Sequence, residues 1–306
     1  MPSAGPSRRR APARSPATGR LAAPGLVVCS AVAAQSGAAY AVHLLALTNP
    51  VSGAWIRNAV GAVVVLGLLV ARRGSLAGIR WRVALVYGCV LALMNTSFYF
   101  GIQRLPLGDA VAVEFLGPIS VAALGSRTRR DAAWVLLAAA GVVAISRPGP
   151  AHLDYAGLGF ILLAGGFWAG YILVGRRVAT GARRADTFAA ALTVAALVLT
   201  VPGFTLAAGR LGDARVLEVG VVVGVLSSVI PYGVELLALG RVRAHVFGIL
   251  LSLQPLMAGL MGFLILGQQP VLLDYVGFLF VVAASAGVTL SARPDEAPAV
   301  EPVTAG

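Results

Sequence analysis

Apolar runs of about 20 residues recur from Leu26 almost to the C-terminus, separated by short gaps that hold most of the charge. A helix rises 1.5 Å per residue, so a run of that length crosses a hydrocarbon core of ~30 Å. Ten runs are legible, at about 25–47, 54–71, 83–101, 108–125, 131–147, 154–175, 187–208, 216–239, 244–266 and 271–291. A β-barrel would instead show segments of ~10 residues that alternate apolar and polar, and no such segments occur. The pattern predicts an all-α membrane protein with ten transmembrane helices. Residues 1–22 are rich in Pro, Ser and Arg and hold no acidic residue, which predicts a disordered basic leader. Residues 293–306 read as a short acidic tail. A signal peptide cut near Ala33 fits poorly, because the apolar run continues to Leu47, longer than an h-region.

Composition agrees with this pattern. The chain has 306 residues, 58% hydrophobic and 12% charged, with a mean hydropathy of +0.86, too little polar surface to cover a soluble domain. All 24 basic side chains other than His are Arg, and the net charge is +12. In a soluble chain that excess would suggest nucleic acid. Here the arginines sort by side of the membrane. With ten spans, nineteen of the 24 fall on the side of the termini, and only Arg104, Arg147, Arg210 and Arg215 fall opposite, with Arg57 inside a span. Such an asymmetry predicts both termini in the cytoplasm and an even span count, and removes the need for a nucleic-acid partner. Cys29 and Cys89 lie in apolar runs and read as small buried hydrophobes. No HExxH, P-loop or His/Cys cluster with ligand spacing is present, so no metal, cofactor or bound ATP is expected. A membrane enzyme would need a nucleophile–base pair, and the sequence offers none. The expected surroundings are the lipid bilayer, in a monomer or homodimer, and the repeats and intramembrane carboxylate described below add a small-molecule substrate and a coupling proton as expected partners.

The two halves of the chain echo each other. Gly141-x5-Arg147-Pro148 recurs as Gly287-x5-Arg293-Pro294, Gly117-Pro118 is answered by Gln254-Pro255, and Ala38-Ala39-Tyr40 by Ala169-Gly170-Tyr171. Repeats over 23–148 and 149–292 would each hold five spans, an odd number, so the second inserts upside-down relative to the first. Two inverted five-helix repeats with interrupted helices predict alternating access around a site near the midplane.

The fourth span carries Glu114 and, four residues on, Pro118. Proline lacks an N–H and its ring pushes on the carbonyl of residue i−4, here that of Glu114. A carboxylate and a freed carbonyl thus coincide ~9 Å into the helix, at 1.5 Å per residue. Both are costly in hydrocarbon unless they face protein or water. One reading is a substrate or proton site, the other a packed kink with a neutral carboxyl. Gln35, Asn95, Trp168 and Gln254 fall at similar depth, with Tyr40, Tyr99 and Tyr171 within about a turn, and together they outline a small-molecule site. Each singly could also be a helix-to-helix hydrogen bond. Arg57, beside Trp55, either snorkels to the interface or meets a substrate carboxylate through its two-pronged fork. Glu235 follows Pro231 by four residues on one helix face, as a gate, a salt-bridge partner of Arg241 or an interfacial carboxylate. Pro118, Pro231 and Pro255 are candidate kinks. Asp109 reads as the cap of the fourth span, and Ala258-x3-Gly262 and Ala283-x3-Gly287 as packing stripes.

The stretch Met94 to Leu124, MNTSFYFGIQRLPLGDAVAVEFLGPISVAAL, resembles the corresponding part of the threonine/homoserine exporters of the EamA family, in the drug/metabolite transporter superfamily. Trp168 to Leu173, Pro231 to Glu235, Phe247 to Gly267 and Arg57 are similar too, and the likeness spans roughly 24–292, with Glu114-Phe115-x2-Pro118 its most specific part. The resemblance implies ten helices in two inverted repeats and export of amino acids. Two positions depart from it: Gln254-Pro255 stands where such exporters tend to have Glu-Pro, and Gly267-Gln268 where they tend to have Gly-Glu. The expected function is secondary, proton-coupled export of threonine- or homoserine-like amino acids or similar metabolites across the plasma membrane. A drug or other metabolite as cargo is the alternative, and a non-transporting membrane enzyme or signalling protein a third class.

Overall fold

The structure, a computed structural model, describes residues 16–126, 129–146, 154–179, 183–207, 209–231 and 250–291. Among these every regular element is a helix: α1 (Pro16–Leu47), α2 (Pro50–Ala71), α3 (Trp81–Ile102), α4 (Leu107–Glu114), α5 (Leu116–Ser126), α6 (Arg129–Ser146), α7 (Tyr155–Ala179), α8 (Arg184–Leu206), α9 (Ala214–Gly224) with a π turn at Val225–Val229, α10 (Gln254–Leu266) and α11 (Leu272–Ser291). Among the described residues six stretches are long and apolar enough to cross a membrane: Gly25–Leu47, Pro50–Ala71, Trp81–Ile102, Tyr155–Val178, Ala185–Leu206 and Leu272–Leu290; Ala132–Ile145 and Gln254–Leu266 are shorter apolar helices. Large apolar side chains cover the outside, with Leu272 80%, Val70 75% and Val63 71% exposed, a surface suited to lipid and not to water.

The expected single span over 108–125 is two helices. Pro118 removes one hydrogen bond of the ladder, and the chain turns at Phe115 between α4 and α5. Helix ends follow local chemistry. Asn49 caps α2 by accepting from Ser52 N (3.0 Å) ahead of Pro50, whose absent N–H costs nothing at a helix start. Asp154 opens α7 by accepting from Gly157 N at 2.8 Å, and faces Arg104 at 3.5 Å. α4 differs from its expected start. Asp109 lies in its first turn, but the preceding residue, Pro106, makes no side-chain cap, and the N–H of Leu107 is met by Gln268 Oε1 at 3.0 Å. Gln268 is delivered there by the end of α10. Gly267, at φ 66°, takes the left-handed conformation, Gln268 N returns to Gly262 O (3.1 Å), and the side chain is released toward α4. The departure Gly267-Gln268 is therefore a cap between two distant segments.

Among the described residues the helices enclose one large core, with small satellite clusters at Ile79, Ala84 and Ala190 and at Tyr87, Val178 and Ala191. α3 packs on α7 and α8, α2 on α8 and α9, α1 on α10 and α9, α11 on α6, and α4 on both α10 and α7. Without a hydrophobic drive between helices in lipid, close backbone approach supplies the attraction. At the α6–α11 crossing a Cβ on Gly277 would lie 2.7 Å from Gly141 O, so Ala there would force the helices apart. The loops at either end also meet. Arg183 donates to Ala77 O (2.6 Å) and Ser75 O (3.3 Å), joining the α2–α3 and α7–α8 connections. Neither cysteine is paired, and neither is buried as expected: Cys29 is exposed and Cys89 intermediate.

Candidate functional site

The break between α4 and α5 carries the first group of candidates. Phe115 N still reaches Val111 O (3.1 Å) and Ile119 N reaches Phe115 O (3.2 Å), but Pro118 leaves Glu114 O without its helical donor. Two glycines cover the gap. A Cβ on Gly165 of α7 would lie 2.8 Å from Glu114 O, and a Cβ on Gly117 would collide with Gly165 O. Only a bare backbone fits on either side. The Glu114 side chain is 8% exposed and, among the described residues, makes no hydrogen bond or ion pair. Phe115 next to it is 2% exposed, and Trp168 of α7 stands edge-on to its ring at 4.9 Å, pinning the turn.

Arg57 forms the second group. It does not snorkel outward. Its Nη2 donates to Ser227 O at 3.1 Å, and its guanidinium carbon lies 5.8 Å from the centre of the Tyr99 ring. The Ser227 carbonyl is free for this because Pro231, four residues on, has no N–H to offer it. Around it the helix widens into the π turn, where Ile230 N bonds Val225 O, five residues back. Glycines seat the turn, since a Cβ on Gly61 of α2 would crowd Ser228 Cβ at 3.1 Å. Tyr99 is fully buried, and Gly53, one turn before Arg57, leaves room for its ring. Arg57 also acts electrostatically on Glu114, although the two form no ion pair.

Two amides close the third group. Gln35 Nε2 of α1 donates to Gln254 Oε1 at 3.2 Å, beside Ser36 Oγ donating to Met261 Sδ (3.2 Å). Gln254 and buried Pro255 begin α10 after a turn at Ser252–Leu253, so this segment is interrupted as the α4–α5 segment is.

The sequence-predicted residues thus separate. Arg57 and Tyr99 come together, with Glu114 within electrostatic range; Gln35 joins Gln254; and Trp168 supports the Glu114 break. Asn95 belongs to the α2–α3 seam, donating to Asn58 Oδ1 (2.9 Å), while Asn58 Nδ2 donates to Ala54 O (2.9 Å). Tyr171 stacks on Tyr87 at 4.7 Å in the α3–α7 seam. Tyr40 stands apart, 39% exposed, with His43 6.2 Å away. Pro231 is buried at the end of the π turn, and Glu235 lies outside the described residues. Sequence reasoning passed over Asn58, Ser227 and Ser228. The i−4 arithmetic that exposes the carbonyl of Glu114 would have found Ser227 ahead of Pro231.

Five buried side-chain atoms lack a hydrogen-bond partner among the described residues: Gln35 Oε1, Arg57 Nε, Tyr99 Oη, Ser227 Oγ and Ser228 Oγ. They share the region where α1, α2, α3 and the π turn meet. Unpartnered polar groups cost free energy when buried, so their concentration in one place makes this region a candidate site for water or a ligand. A guanidinium and a carboxylate that are near but unpaired could take one group of each sign.

Residues 155–290 match the EamA-like transporter family. The chain is 36% identical over 265 residues to the threonine/homoserine exporter RhtA of Salmonella typhimurium (strain LT2), covering 85% of this chain and 88% of that protein. It is 35% identical over 264 residues to the threonine/homoserine exporter RhtA of Escherichia coli (strain K12), covering 85% and 89%. A solved crystal structure at 15% identity superposes with a TM-score of 0.64 over 90% of this chain and 98% of its own, a likeness of fold alone.

Proposed function

The chain belongs to the EamA-like transporter family, and we propose that it exports threonine- or homoserine-like amino acids, or similar small zwitterions, in exchange for protons. It is a multi-pass inner-membrane protein and not an enzyme. The proposed architecture is ten transmembrane helices in two inverted five-helix repeats, 23–148 and 149–292, with both termini in the cytoplasm. The arginine asymmetry and the interruption of one segment in each half, at Phe115 and at Ser252–Leu253, support it.

The observation that carries the function is the unpartnered Glu114 at the α4–α5 break, within reach of the Arg57 charge. In the proposed cycle Glu114 holds either a proton or the substrate ammonium, never both, and that exclusion couples export to proton entry. Arg57 meets the substrate carboxylate. The carriers being a pair of opposite sign, a zwitterion neutralises both, whereas a singly charged molecule leaves one buried charge uncompensated. The test is efflux of a panel of amino acids from loaded cells with and without the protein. Faster efflux of threonine or homoserine is expected, lost in Glu114→Gln at unchanged protein level; a panel with no amino acid exported faster would sink the reading. Drugs or other metabolites are the second reading. It is favoured by Gln254, an amide where the similar exporters tend to have a carboxylate, and by the aromatic rings of Tyr99 and Trp168 near the charges.

A further inference from the structure

We infer that Tyr99 is a substrate-contact residue: its hydroxyl and Arg57 Nε form a two-donor cradle for the carboxylate of the cargo, and Ser227 O holds the guanidinium when the cradle is empty. The inference rests on the proposed export of zwitterions and names the atoms that would read the cargo's acid group.

Tyr99 has no exposure; its hydroxyl lies beside the Arg57 guanidinium, which can only donate to it, and no acceptor among the described residues takes its proton. Buried phenols usually find one, because an unmade hydrogen bond costs more than a made one gains. The ring is fixed. Gly53 and Arg57, one turn apart on α2, flank it, and Arg57 lies 5.8 Å above its centre. The Arg57 fork is only partly used. Nη2 donates to Ser227 O at 3.1 Å, while Nε is buried without a partner. Tyr99 Oη and Arg57 Nε are both donors, on adjacent helices, on the two groups in contact. A neutral carbonyl oxygen can accept from both but leaves the guanidinium charge unmet, and an amide brings donors of its own against them; a carboxylate accepts from both and offsets the charge.

Ser227 O explains why the guanidinium is tolerated without cargo. Pro231 strips this carbonyl of its helical donor, the π turn presents it, and Arg57 takes it. An arriving carboxylate is the stronger acceptor for the same cation, so loading draws Arg57 from the π turn toward the cradle. Arg57→Lys keeps the charge but has no Nε donor and no planar fork.

The test uses the full-length protein in proteoliposomes, with counterflow of labelled L-threonine and of L-threoninamide, which keeps the ammonium and lacks the carboxylate. Tyr99→Phe removes one oxygen and preserves the ring packed on Gly53, and its thermal unfolding reports that the fold is retained. A hydrogen bond to a charged group is worth about 1.5–3 kcal/mol, or roughly ten- to a hundredfold. The expected result is a KM for threonine raised by that factor in Tyr99→Phe, with threoninamide unchanged, so that the acid-over-amide preference collapses. Arg57→Lys should lose the same preference. Wild-type transport of threonine with an unaltered acid-over-amide ratio in Tyr99→Phe would overturn the cradle alone. Wild-type vesicles that carry neither compound would overturn the zwitterion reading and the cradle with it.

Discussion

Two helical segments of this molecule are interrupted, at Phe115 and at Ser252–Leu253, and they are chemically unequal. At the α4–α5 break the exposed group is a carboxylate, Glu114, with no hydrogen-bond or ion-pair partner among the described residues. At the start of α10 it is an amide, Gln254, and it is already held by Gln35 at 3.2 Å. The first break is braced by backbone contact with Gly165 and by Trp168 against Phe115; the second is stitched by side chains. An uncommitted titratable group suits a carrier that must exchange ligands, and a satisfied amide suits a hinge or seam. The difference places the proposed coupling on one side of the site only.

Changes at the two breaks should therefore have unequal effects. The largest is expected from Glu114→Gln, which keeps shape and removes charge. With the titratable group gone, efflux should lose its dependence on a pH gradient in proteoliposomes, the largest change of the series. Next is Gly165→Ala, whose Cβ would lie 2.8 Å from Glu114 O. Backbone on both sides cannot yield, and overpacking of this kind costs about 1–3 kcal/mol, read as a lower unfolding midpoint in detergent. Gln254→Ala should do less. One interhelical hydrogen bond in a membrane protein averages about 0.6 kcal/mol, so stability drops slightly while the response to a pH gradient stays. Loss of that response in Gln254→Ala would erase the contrast between the breaks.

The smallest effect is expected outside both breaks, at Asp154. The Gly157 backbone N–H, and to a lesser degree the Arg104 guanidinium, hold its carboxyl below the usual carboxylate range. A depressed folded value means the stabilisation is present above the unfolded value and is lost as pH falls through the folded one. Asp154→Ala should lower the unfolding midpoint a little near neutral pH, and the gap to wild type should close on acidification.

Hydropathy made most of the architecture legible, because spans such as 25–47 and 271–291 are set by the thickness of the bilayer and by little else. It could not show that 108–125 is two helices, since Pro118 is compatible with either a kink or a break and the choice depends on Gly165 filling the gap. In the site, Glu114 and Arg57 stood out as charges in apolar runs, where cost itself is the signal. Their surroundings did not. Whether Asn95 meets a ligand or Asn58, or whether Gln268 caps α4 from 161 residues away, depends on which helices touch. Tyr40 lies within about a turn of the predicted depth band yet is 39% exposed and joins none of the three groups, because depth along a helix says nothing of its rotation.

The central claim is that Glu114 carries the proton against which the substrate is exchanged. The most direct measurement is uptake of labelled threonine into proteoliposomes driven by an imposed pH gradient, wild type against Glu114→Gln, at matched protein content. Wild type should accumulate threonine in proportion to the gradient, and Glu114→Gln should show none of that dependence. Gradient-dependent accumulation at the wild-type level in Glu114→Gln would contradict the claim.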